Sequence, residues 1–99
     1  MSTNAMRPIH PGEILREELE ELTCSARELA RALDVPVNRI TGILREERAV
    51  TADTALRLAR YFNNSPEFWL NLQSAYDLRQ AQRTTGKKIA RTVRPRAAA

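Results

Sequence analysis

Apolar side chains recur along this chain at intervals of three and four residues, and no β-branched or aromatic run alternates with period two; the pattern predicts helices throughout. After an arm over residues 1–11 with two prolines, Ile14, Leu15, Leu19 and Leu22 form one apolar stripe. The other face of that first helix is acidic, through Glu13, Glu17, Glu18, Glu20 and Glu21. Ser25 followed by Glu28 fits a capping box, and Ala26, Leu29, Ala30 and Leu33 then recur at i, i+3, i+4 and i+7, the signature of a short second helix. Pro36 suits the first position of a third helix running to about Arg45, because its missing N–H would be unpaired there anyway. Thr51 is placed to cap a fourth helix carrying Ala55, Leu58, Ala59 and Phe62, which stops near Asn63 and Asn64, residues that tolerate the left-handed conformation. Ser65 and Pro66 restart the chain into a fifth helix, to about Gln82, with Phe68, Trp69, Leu72, Ala75 and Tyr76 on one arc and Leu70 and Leu78 outside it. Phe68 and Trp69 are expected in the core, whereas Leu70 and Leu78 are either isolated surface leucines or a second apolar surface covered by another chain. The fold class is all-α with five helices.

Composition narrows what such a bundle can be. Ninety-nine residues, 42% apolar and 28% charged, allow one small domain with one core and speak against a two-domain enzyme with a cleft. No run approaches the roughly 18 apolar residues of a membrane span, and no apolar signal segment opens the chain, so a cytoplasmic location and no membrane partner are expected. One cysteine, Cys24, cannot form an internal disulfide, and with the one histidine, His10, it cannot supply the four ligands of a structural zinc site. His10, between two prolines, is expected to serve local structure, Cys24 to be inert and the paired glutamates to form a solvated face. No catalytic constellation emerges; no enzyme, metal or cofactor is expected.

Charge changes the picture through its distribution. The net charge is +4, but Arg83, Lys87, Lys88, Arg91, Arg94 and Arg96 occupy the last seventeen positions with no acid, leaving ten cations against twelve acids before them. The body is slightly acidic and the tail is +6. The expected organisation is an arm over 1–11, one domain over 12–82 and a basic tail over 83–99, the tail predicted disordered for want of apolar surface to offset its ordering entropy.

Two short helices joined by a tight turn outline a helix-turn-helix, whose second member enters the DNA major groove. At 100° per residue, Ile40, Ile43 and Leu44 share the inner side of the third helix, while Asn38, Thr41, Gly42 and Arg45 occupy the outer side with Arg39 at its margin. That outer face carries no acid. Asn pairs bidentately with adenine and Arg with guanine, Thr offers a hydroxyl or a methyl, and Gly42 would let the backbone come close. Asn38, Thr41 and Arg45 are the base-reading candidates; Val37 is placed to touch a thymine methyl, and Arg39 suits either base or phosphate. An ordinary solvated face remains the alternative at this point.

The stretch from Ser25 to Phe62, with Glu28-Leu29-Ala30, Val35, Ile40, Ile43-Leu44 and Ala55-Leu56-Arg57-Leu58-Ala59, resembles the Cro/lambda-repressor (Xre) helix-turn-helix proteins. With His10-Pro11-Gly12-Glu13-Ile14-Leu15 before it and Ser65-Pro66-Glu67-Phe68-Trp69-Leu70-Asn71-Leu72-Gln73 after it, the chain is similar over roughly residues 6–80 to the HigA-type, or VapI-like, antitoxins. It departs from their pattern at Pro36, in place of a small polar cap, at Val37, where a polar reader is common, and at Arg45-Glu46, in place of an Asn-Gly ending the recognition helix. The resemblance implies a homodimer that binds a palindromic operator in its own promoter, in the nucleoid, and neutralises a HigB-type toxin, an RNase that cleaves mRNA on the ribosome. The dimer contact is assigned to the fifth helix through Leu70, Leu78 and Trp69. Ser25 and Arg27, at the start of the second helix, and Arg48, in the loop after the third, are candidates for phosphate contact. The acidic first helix can compete for an RNA-binding toxin surface or simply confer solubility. Two other functions stay open: a stand-alone Xre repressor without a toxin, and a helical adaptor that binds protein and not DNA.

Overall fold

The structure is a computed structural model and describes residues 7–97. Five helices follow in order: α1 (Pro11–Leu22), α2 (Ala26–Leu33), α3 (Val37–Leu44), α4 (Ala52–Phe62) and α5 (Pro66–Thr92); no strand occurs among the described residues. Residues 1–6 of the arm and 98–99 of the tail lie outside them.

Polar caps set the helix starts. Ser25 and Glu28 form the reciprocal capping box, and the hydroxyls of Thr51 and Ser65 accept from the Thr54 and Phe68 N–H groups. His10 caps α1, its Nδ1 accepting from the Gly12 N–H at 2.9 Å. Pro36 is the N-cap of α3 and not its first residue: its ψ of 147° is extended, so helical geometry begins at Val37. The stop of α4 is Asn63, in the left-handed region at φ 59°, and Thr23 and Asp34 end α1 and α2 in the same conformation.

The core gathers Leu15 and Leu19 from α1, Leu29, Ala30 and Leu33 from α2, Ile40 and Ile43 from α3, Val50, Ala55, Leu58 and Ala59 around α4, and Trp69 from α5. Each large apolar side chain fully removed from water contributes about 1.5–3 kcal/mol. Trp69 keeps its polar end satisfied, Nε1 donating to Asn64 Oδ1 at 2.9 Å. The apolar arcs differ from the expected ones at their edges. Leu22, Phe68 and Ala75 are exposed, whereas Gln73 is buried: its Oε1 accepts from the Val50 N–H at 2.8 Å and its Nε2 donates to Asp77 at 2.9 Å. Phe68 still packs edge-on to Trp69, with ring centroids 5.1 Å apart.

The largest difference lies in the tail. α5 does not stop near Gln82 but continues to Thr92, so residues 83–92, expected to be disordered, are helical. The expectation rested on burial, which a growing helix end does not need. Once Trp69 and Gln73 anchor the first turns, each added residue costs only propagation, and Ala, Gln, Lys and Arg are good helix formers. Gly86 is tolerated within the helix, which ends three residues before Pro95.

Candidate nucleic-acid interface

α2 and α3 are joined by Asp34, Val35 and Pro36, a turn closed by the Val35 N–H donating to the Ala30 carbonyl at 3.0 Å. Neighbouring helices hold this pair from both ends. From α4, Arg57 Nη1 donates to the carbonyls of Leu33 at 2.8 Å and Asp34 at 3.3 Å, where α2 ends. From α1, Arg16 donates to the Leu44 carbonyl at the end of α3. α1 also crosses α3 at Gly12, where a Cβ would stand 2.1 Å from the Ile43 carbonyl oxygen, so only glycine permits this approach.

With Ile40 and Ile43 fully buried, the opposite side of α3 faces solvent. Val37, Asn38 and Arg45 are exposed and Thr41 is half-buried, so the predicted base-reading group is brought onto one accessible face. Arg39 is not free: its Nη1 donates to Asp53 at 2.6 Å, and Asp53 also accepts from Arg57 Nε at 2.9 Å. Hydrogen bonds from Arg57 and then Arg39 hold the Asp53 carboxyl below its ordinary pKa.

Asn38, Arg39 and Arg48 line one open hollow of about 300 Å³ beside α3, together with Pro36, Ala49 and Thr51. Gly42 serves a different purpose from the expected close approach of backbone to ligand. A Cβ there would lie 3.2 Å from Arg48 Cβ, so the missing side chain makes room for Arg48 to cross α3. Ser25 and Arg27 stand exposed at the start of α2, apart from that hollow; Ser25 instead borders a second hollow with Arg16 and Leu44. The Ser25 oxygen is engaged in its cap, leaving the hydroxyl hydrogen to donate.

The chain thus brings Val37, Asn38, Thr41, Arg45 and Arg48 to one side and ties Arg39 at its edge. It does not bring Trp69 to a surface: at 1% exposure the indole belongs to the core, which corrects its place in a dimer contact. Leu70 is half-buried against the core and Leu78 is 61% exposed. Sequence reasoning missed Arg16, Asp53 and Arg57. The i,i+4 spacing of Asp53 and Arg57 was a visible sign of their pairing, but nothing local linked either of them to Arg39 or to the α2–α3 turn.

His10 is buried, its ring edge-on to Tyr76 at 4.8 Å, and burial lowers its pKa against the opposing carboxylates of Glu46, Asp77 and Glu13. Among the described residues no group of three or more His, Cys, Asp or Glu side chains stands where it could hold a metal ion, and no helix is long and apolar enough to cross a membrane.

Fold and face together define a helix-turn-helix protein, and the helix-turn-helix family matches residues 15–69. Virulence-associated protein I of Dichelobacter nodosus is 58% identical over 80 residues, 80% of this chain and 74% of that protein. An addiction module antidote protein of the HigA family from Coxiella burnetii has a similar structure, with a TM-score of 0.89 and 58% identity over 91% of this chain and 99% of the other. The Pseudomonas aeruginosa antitoxin HigA, solved with the higBA promoter, gives a TM-score of 0.89 at 50% identity, covering 92% of this chain and all of that one. The chain belongs to the HigA family of helix-turn-helix antitoxins.

Proposed function

We propose that this chain is the antitoxin of a type II toxin–antitoxin pair and the repressor of its own operon. As a homodimer it binds a palindromic operator through α3, and it neutralises a HigB-type toxin that cleaves mRNA, working in the cytoplasm at the nucleoid. The observation that carries the reading is the acid-free outer face of α3, where Asn38 and Arg45 are exposed and Thr41 half-buried on the second member of a helix pair held by Arg57 at the end of α2 and by Arg16 at the end of α3. The structure of the Pseudomonas relative with its promoter supports the same use of the same fold.

Asn38 and Arg45 read base edges, Val37 meets a thymine methyl, and Ser25, Arg27 and Arg48 position the phosphates. The dimer contact lies along α5 through Leu70 and Leu78. Two-fold symmetry then sets the recognition helices about 34 Å apart, the spacing of successive major grooves on one side of the duplex. The test is a gel-shift titration of the promoter duplex upstream of the gene. Asn38→Ala and Arg45→Ala are each expected to lose about 1–3 kcal/mol of operator affinity with unchanged circular dichroism. Unchanged binding by both variants overturns the site assignment, and no binding of the duplex by the unaltered chain favours a protein-binding adaptor. The toxin half is tested separately: a neighbouring reading frame should encode a product that arrests growth unless this chain is co-expressed. A stand-alone repressor has no such neighbour.

A further inference from the structure

Two arginines from different helices converge on one carboxylate oxygen. Arg39, in the first turn of α3, donates from Nη1 to Asp53 Oδ2 at 2.6 Å, and Arg57 donates from Nε to the same oxygen at 2.9 Å. Arg57 at the same time holds the carbonyls of Leu33 and Asp34. One chain of charge-assisted hydrogen bonds therefore runs from the α2–α3 turn through Asp53 to the edge of the recognition face. The Asp53 side chain is 55% exposed and that of Arg39 30%, and pairs this open to water contribute little to folding stability.

We propose that Asp53 is a positioning residue for DNA specificity: it holds the Arg39 guanidinium in one orientation, so that Arg39 reads a base edge and not whichever phosphate lies nearest. The inference rests on the DNA-reading function above and assigns it a residue that never touches the bases. Asp53 takes one donor at Nη1, which leaves the Nε–Nη2 edge, two parallel N–H groups of the shape that pairs with guanine O6 and N7. A long side chain loses rotamer freedom when it binds, and a clamp removes that loss before DNA arrives. Charge acts in the same direction. Two arginines around one carboxylate carry a net +1 where they would otherwise carry +2, which weakens attraction to phosphates of any sequence and leaves the directional hydrogen bonds of Arg39 intact.

The experiment compares the full-length chain with Asp53→Asn, Asp53→Glu, Arg39→Ala and the Asp53→Asn/Arg39→Ala double variant. Each is titrated by fluorescence anisotropy against its promoter duplex and a scrambled duplex of equal length, over a range of salt concentrations. For Asp53→Asn the ratio of operator to scrambled affinity should fall about tenfold, and the salt slope on scrambled DNA should steepen by about 0.9 as the freed Arg39 finds a phosphate. Asp53→Glu, which keeps the carboxylate, should recover part of the ratio, and in the Arg39→Ala background Asp53→Asn should leave the ratio unchanged. A merely structural Asp53 would lower both affinities equally with no change of slope, and that result overturns the proposal. An equal effect of Asp53→Asn with and without Arg39 overturns it as well. If the unaltered chain shows no preference for its promoter, the DNA-reading function fails together with the inference; a ratio in Asp53→Asn equal to that of the unaltered chain fails the inference alone.

Discussion

His10 shows how one side chain can hold an element and report pH. Its Nδ1 accepts the Gly12 N–H, so that nitrogen must stay unprotonated for the cap to exist. Burial lowers its pKa in the fold below the ordinary 6.5. As pH falls, the unfolded chain therefore takes up the proton first, and the stability present above about pH 6.5 is lost progressively below it. Thermal melts of the full chain should show the midpoint dropping between about pH 7 and pH 5. His10→Asn, whose amide oxygen can accept the same N–H without titrating, should flatten that drop. A pH dependence unchanged in His10→Asn would assign the effect to other groups. At the end of α3 the same scale explains a departure from the family pattern. Glu46 adopts φ 63°, the left-handed conformation that a glycine at this position would accept without strain.

Among the elements, α3 and α5 are made in different ways. α3 has eight residues and no side-chain cap, too short to stand alone, and its helicity depends on Ile40 and Ile43 in the core and on Arg16 at its last turn. α5 has 27 residues and extends beyond its packed turns. Its distal cations Arg83, Lys87, Lys88 and Arg91 are exposed, and among the described residues none is within 4 Å of a carboxylate. Cations so placed add attraction to phosphate without reading sequence. Removing residues 83–99 should lower affinity for operator and scrambled duplexes alike and flatten the salt dependence of both. A loss confined to the operator would instead assign the distal helix to specific recognition or to the dimer.

For the whole molecule, the proposed palindromic operator needs two copies, because one copy carries one α3 and cannot span two half-sites. Leu78 stands 61% exposed on α5 and lies outside the core, so a charge there leaves the fold intact. Leu78→Glu is expected to shift the chain from dimer to monomer in sedimentation equilibrium and to lower operator affinity at least tenfold. The helical circular dichroism of the variant should match that of the unaltered chain, because Leu78 lies outside the core. A variant that remains dimeric moves the interface away from this leucine.

Local rules were enough for five helices, for the polar starts at Ser25, Thr51 and Ser65, for the stop at Asn63, and for an acid-free outer face of α3 legible at 100° per residue because Ile40 and Ile43 had to turn inward; they did not reveal the His10 cap or the place of Pro36 outside α3. Tertiary structure decided what depends on partners far apart in the chain. It placed Gln73 in the core through Val50, gave Arg48 the space over Gly42, took Trp69 out of reach of any partner and tied Arg39 to Asp53. It also carried α5 past Gln82, since a helix anchored by packing at one end needs only propagation to continue. Periodicity encodes which way a side chain faces; it does not encode which side chain fourteen residues away will be there to meet it.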